Sequence, residues 1–98
     1  MDDVQFTWDP GKAAANLSKH GVSFEDASTV FRNPLAKVLP DPTHSDQEPR
    51  SLIMGHSAGH SAGGRLLLVV FTESGDRIRI ISARDASARE RREYEEHS

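Results

Sequence analysis

The sequence predicts an α+β fold: two N-terminal helices packed on an antiparallel β-sheet meander, followed by a C-terminal helix. Three observations predict it. Capping signals and helical spacing fill residues 9–34. Apolar strand patterns then run through residues 35–84, separated by proline- and glycine-rich turns. The tail from Asp85 to His97 is helix-prone and nearly all polar.

Each element has a local cause. "VQFTWD" alternates polar and apolar residues, as a short strand does. Asp9 can cap a helix with Pro10 at its first position, where a missing N–H costs nothing. Gly21 can supply its left-handed stop. On that helix Ala13 and Leu17 share a face, and so do Lys12, Asn16 and Lys19. Ser23 opens a second helix with Asp26 as capping-box partner, and Phe24, Ala27 and Phe31 form its buried stripe. Pro34 stops it. "LAKVL" and "SLIM" are strands on either side of the loop "PDPTHSDQEPR". "RLLLVVF" is a continuous apolar run, expected of a central strand covered on both faces. "ESGD" is a turn around Gly75, and "RIRIISAR" is the last strand.

The 98 residues suffice for one domain spanning 1–98 with its own core, and no linker composition divides them. There is no cysteine, so disulfides and thiolate metal sites are excluded. No N-terminal apolar run resembles a signal peptide, and Leu66–Phe71 is too short to cross a bilayer, so a cytoplasmic protein without membrane contact is expected. The net charge of −3 argues against a generic nucleic-acid binder, yet six arginines between Arg77 and Arg92 face only Asp85 and Glu90. Such a concentration is either a solvated, ion-paired face or an anion-binding surface.

Two motifs invite over-reading. "GHSAG" at 55–59 fits the nucleophile elbow of serine hydrolases, which must join a buried parallel strand to a helix. Here a second "GHSA", Gly63–Gly64 and a strand signal follow, so a long hairpin loop is the simpler reading. His44, His56 and His60 suggest a metal site, but no carboxylate is adjacent and loop histidines are expected; neither metal nor cofactor is expected.

Several segments together resemble one family. "FTWDPGKAAANLSKHGVSFEDASTVFRNP", "HSDQEPR", "GRLLLVVFT" and "RIRIISARDASARERREYE" are similar, in order and spacing, to BrnT-type toxins over almost the whole chain. The chain departs from the pattern at 55–64, where the loop looks longer by about one "GHSA" unit. The resemblance implies a RelE-like ribonuclease fold and the toxin of a type II toxin–antitoxin pair, which blocks translation by cutting RNA. It also implies a BrnA-type ribbon-helix-helix antitoxin as partner, with operator DNA reached only through that antitoxin.

RNA can be cut without metal. A base frees the 2′-hydroxyl to attack the adjacent phosphate, an acid protonates the leaving 5′-oxygen, and cations stabilise the phosphorane charge. The candidate catalytic residues are Lys19, His20, Glu48, Arg50 and Arg84, with Arg65 and Tyr94 as RNA contacts. Lys19 and His20 equally suit a helix C-terminus, where cations complement the dipole. Glu48 and Arg50, two apart around Pro49, point the same way if extended, as an ion pair or as orienter and phosphate ligand. By alternation Arg84 shares a face with Ile78, Ile80 and Ser82, the helix-covered one, where a guanidinium needs an anion or a carboxylate. Arg65 stands at a loop–strand junction. Tyr94 reads as core anchor, stacking platform or proton donor. The competing function is a non-catalytic co-repressor or binding module of the same fold.

Overall fold

The computed structural model describes residues 4–40, 49–58 and 64–96. The order is β1 (Gln5–Thr7), α1 (Pro10–His20), α2 (Phe24–Thr29), a 3-10 turn (Val30–Arg32), β2 (Lys37–Pro40), β3 (Ser51–His56), β4 (Leu66–Ser74), β5 (Arg77–Asp85) and α3 (Ala88–Glu96). The strands form one sheet in the order β1-β5-β4-β3-β2.

The helix ends follow the sequence signals. The Asp9 carboxylate accepts the Lys12 N–H at 2.9 Å, and Pro10 occupies the first turn of α1. Gly21 ends α1 at φ 69°, donating to the Leu17 carbonyl. Ser23 Oγ accepts the Asp26 N–H at 3.0 Å and starts α2.

The sheet is mixed, which corrects the expectation of a wholly antiparallel one. Strands β2 to β5 form the antiparallel meander, but β1 pairs in parallel with β5, Phe6 opposite Ile78. No tight turn joins β1 to β5, so nothing imposes the antiparallel sense on that pair.

The run in β4 is covered on both faces, as its composition requires. Leu67, Val69 and Phe71 meet Val22, Phe24, Ala27 and Val30 on the α1–α2 side. Leu66 and Leu68 meet Met54 and Tyr94 on the α3 side. Aromatic rings close the first core: Phe31 lies 5.2 Å from Phe6 and 4.9 Å from Phe71, and Trp8 stands edge-on to Phe24 at 5.9 Å.

A β-bulge decides which way the end of β5 faces. Val70 opposes Ser82 but Phe71 opposes Ile80, so Ile81 is an extra residue. One inserted residue inverts the alternation beyond it. Ile78, Ile80 and Ala83 therefore all reach the α1–α2 core, whereas Ser82 and Arg84 fall on the α3 side. The expectation that Arg84 shares the face of Ile78 and Ile80 is thereby overturned.

The inward stripe of α1 also differs from the expected one. Leu17 is 52 % exposed, while Asn16 is buried and Ala13 and His20 are half-buried on the same side. Lys12 and Lys19 are exposed, so they do not share the environment of Asn16. The amide of Asn16 donates to the carbonyls of Ala83 (2.8 Å) and Val22 (3.0 Å) and accepts the Ala83 N–H at 3.1 Å. Because β1 pairs only with residues 77–79, the outer edge of β5 at Ala83 lacks a strand neighbour. Asn16 supplies both hydrogen bonds that a neighbouring strand would make there.

Candidate functional site

The start of β4, the end of β5 and the C-terminus of α1 meet at one rim of the sheet. Arg65 donates to both carboxylate oxygens of Asp85, from Nε at 2.9 Å and from Nη2 at 2.6 Å. Its Nη1 donates to the Gly21 carbonyl at 2.9 Å, which ties the strand end to the helix carrying Lys19 and His20. Arg84 forks onto Glu90 of α3 at 2.8 and 2.9 Å and donates to the Asp85 carbonyl at 3.2 Å. The two guanidinium groups thus meet at Asp85 from opposite faces of the sheet.

These pairs fix orientation as well as charge. Hydrogen bonding to Asp85 raises the Arg65 pKa from its ordinary value, and bonding to Glu90 does the same for Arg84. Reciprocally, the Arg84 fork holds the Glu90 carboxyl down to about 2, with the Ser87 N–H adding to the effect. Glu90 also completes a capping box, since Ser87 Oγ accepts the Glu90 N–H at 3.1 Å.

The sign of the linkage is definite. A depressed carboxyl stabilises the fold above its unfolded value near 4.5, and that stability is lost as pH falls through 4.5 toward 2. Solvent screens the pair, because the Arg84 side chain is 42 % exposed. Glu90→Gln is expected to lower the unfolding free energy by about 1–2 kcal/mol at neutral pH. The difference should vanish in urea melts near pH 2; an equal deficit at both pH values would show that the pair contributes nothing.

On the α3 side of the rim, Tyr94 is buried and its hydroxyl donates to the Leu35 carbonyl at 2.9 Å. Burial raises its pKa. Its ring meets His56 edge-on at 5.9 Å, and Lys37 Nζ stands 5.3 Å from the ring centroid. Tyr94 is therefore the anchor of α3, whose other residues between 88 and 96 are exposed or, for Glu90, half-buried.

The candidate residues are only partly brought together. Arg65 and Arg84 meet at Asp85, Arg65 reaches the Gly21 carbonyl that follows Lys19 and His20 in the chain, and Tyr94 lies on the α3 side. Arg50 does not join them. It precedes Ser51, at the opposite end of β3 from His56, which pairs with Leu66 at the rim. Six residues of strand rise separate the two ends, roughly 20 Å. Glu48 lies outside the described residues, as do His44 and His60 of the tentative metal set. Among the described residues no three His, Asp or Glu side chains gather as metal ligands.

Sequence reasoning passed over three residues at this rim. Asp85 and Glu90 fix the arginines, and their signal was the acid-after-arginine pattern read only as charge balance. His56 was read as a loop residue, but β3 runs to His56, two residues past "SLIM".

Ser57 is no nucleophile. It is 5 % exposed, and its backbone N–H donates to the Arg65 carbonyl while its Oγ accepts the Arg65 N–H. The strand before it is antiparallel to both neighbours. A nucleophile elbow needs a parallel strand and an exposed hydroxyl. Gly64 opposes it at φ 63°, where an added Cβ would fall 1.8 Å from the Ser57 carbonyl oxygen. The duplicated half of the motif, including His60 and Ser61, lies outside the described residues.

An α+β fold that brings Arg65 and Arg84 together at one sheet rim presents cations suited to a phosphodiester. A family model described as "Ribonuclease toxin, BrnT, of type II toxin-antitoxin system" matches residues 8–90. The chain belongs to that family, of ribonuclease toxins in type II toxin–antitoxin systems. The match ends within α3, so Glu93 and Tyr94 lie beyond it. No curated protein matches the chain. Among the described residues no helix is long and apolar enough to cross a membrane.

Proposed function

We propose that the chain is a metal-independent endoribonuclease that inhibits translation and is neutralised by a BrnA-type ribbon-helix-helix antitoxin, with operator DNA contacted through that antitoxin. Family membership supports the ribonuclease class and the existence of an antitoxin. The observation that carries the site is the Arg65–Asp85–Arg84 arrangement beside the C-terminus of α1. In this reading Arg84 and Arg65 hold the scissile phosphate and stabilise the charge that grows on it. Lys19 and His20 supply proton transfer to the 2′- and 5′-oxygens. Asp85 and Glu90 are positioning residues that keep both guanidinium groups aimed. Arg50 stays outside this cluster, and Tyr94 acts by seating α3.

The engagement of both arginines by carboxylates favours the second reading, a non-catalytic module in which these pairs are purely structural. Incubating the full chain with single-stranded RNA, with and without a chelator, separates the two. Cleavage that survives chelation and leaves cyclic phosphate and 5′-hydroxyl ends is expected. Intact RNA would leave the binding module standing, and cleavage lost on chelation would refute metal independence.

A further inference from the structure

We infer that the antitoxin docks on the free edge of β2, as an added strand with an apolar side chain seated in a cavity beside α3; this rests on the reading that an antitoxin holds the chain. Among the described residues four large apolar side chains are at least half exposed, and three of them, Leu35 (64 %), Val38 (61 %) and Leu39 (50 %), fall within five positions. The fourth, Leu17, stands on α1. Scattered apolar residues are ordinary on a surface, but a cluster marks a place that another molecule covers. Among the described residues β2 is the outermost strand and pairs only with β3, so one side of its backbone has no strand neighbour. Proteins guard such an edge with charge. Here the one charged residue of β2, Lys37, is turned back over the Tyr94 ring, 5.3 Å from its centroid, and donates to the Tyr94 carbonyl at 3.4 Å.

Pairing at this edge also fills a space the fold leaves open. Lys37 and Leu39 turn to the α3 side, where with Met54, Glu90, Glu93 and Tyr94 they line an open cavity of about 350 Å³ whose surface is almost wholly apolar. Val38, opposite Ile53 of the first core, faces the other way. A strand laid about 4.8 Å outside β2 alternates in the same sense. Its α3-side residues then meet Leu39 and the cavity, and the residues between them meet Val38. In strand addition of this kind, backbone bonds give affinity and alternate side chains in pockets give specificity.

The chemistry of the surface chooses the occupant. Of the residues lining the cavity two are acids, and the one cation is already laid on Tyr94, so a phosphate backbone finds no counter-charge there. A second copy would set two four-residue edges together, each ended by Pro40, which has no N–H to donate. So short a pair falls below the ~1,200 Å² that stable interfaces bury. An antitoxin has no such limit, since its chain can run on from β2 across Leu35, and a toxin of a type II toxin–antitoxin system has that protein as its partner.

The test is calorimetric titration of the full chain with the purified antitoxin encoded beside it. Leu39→Glu and Val38→Glu are each expected to weaken binding roughly ten-fold or more, and Leu17→Glu, at the other exposed leucine, should leave it unchanged. Amide hydrogen exchange on the unaltered chain needs no variant: exchange across residues 37–40 should slow when antitoxin binds. Unchanged exchange there, or equal affinities for Leu39→Glu, Val38→Glu and the unaltered chain, would overturn the docking site while the antitoxin reading stands. No complex with the unaltered chain would refute that reading and the docking site with it. A dimer in sedimentation that Leu39→Glu dissolves, or single-stranded RNA binding that Leu39→Glu abolishes, would give the edge to a second copy or to RNA and overturn the proposal.

Discussion

Arg84→Ala is expected to reduce RNA cleavage by roughly 10²–10³-fold, the usual loss when one donor to a developing anion is removed. Arg84 reaches the rim through a bulge that turns it to the α3 side, and two bonds to Glu90 with a third to the Asp85 carbonyl hold it there. Arg84→Lys should recover little, because an ammonium keeps the charge but not the planar fork. The measurement is initial cleavage rate on a defined RNA, with growth arrest as the cellular readout. Thermal melting and antitoxin binding must be followed alongside, since Arg84→Ala also strips Glu90 of its partner. That structural loss is expected to match the one given for Glu90→Gln, so cleavage is compared under conditions where the variant stays folded. Lys19→Ala makes no such structural change, since Lys19 is exposed on the last turn of α1. Retained toxicity in both Arg84→Ala and Lys19→Ala would remove catalysis from this rim.

Asn16→Ala is expected to destabilise the fold by about 2–4 kcal/mol, because it leaves the buried N–H and C=O of Ala83 and the Val22 carbonyl without the partners they now have. Asn16→Asp should not rescue it. The acceptor for the Ala83 N–H survives, but the donor is replaced by a charge facing two carbonyls in a buried place. Urea melts give the free energy, and amide exchange at Ala83 gives its local origin. The residue beside Ala83 is Arg84, so the same variant should also lower cleavage under conditions where it stays folded. A change in stability within about 0.5 kcal/mol would mean that water replaces the amide and that the edge of β5 needs no cover.

Local signals were legible because they act over a few residues. Asp9, Pro10, Gly21 and Ser23 each cap or stop a helix in the manner their positions announce. The run from Leu66 to Phe71 announced a strand buried on two sides for the same reason. The inward stripe of α1 was hidden because two of its three residues, Asn16 and His20, are polar. An amide buried against a strand edge carries no hydrophobic period. Arg84 is bonded to a carboxylate, that of Glu90, but from the α3 side and not from the expected face. Its face was misjudged because strict alternation holds only until an extra residue enters a strand.

By itself the sequence determined the α+β class, the order of helices and strands, the caps that bound them and the family resemblance. It did so because periodicity, capping and turn chemistry are written in neighbouring residues. The tertiary structure alone decided that β1 runs parallel to β5, and that Ile81 bulges and turns Arg84 to α3. It also brought Arg65 to the end of α1 and left Arg50 at the other end of the sheet. Those outcomes depend on pairings between residues far apart in the chain. Their register is set by which side chains the two cores can bury together, and no local pattern encodes that.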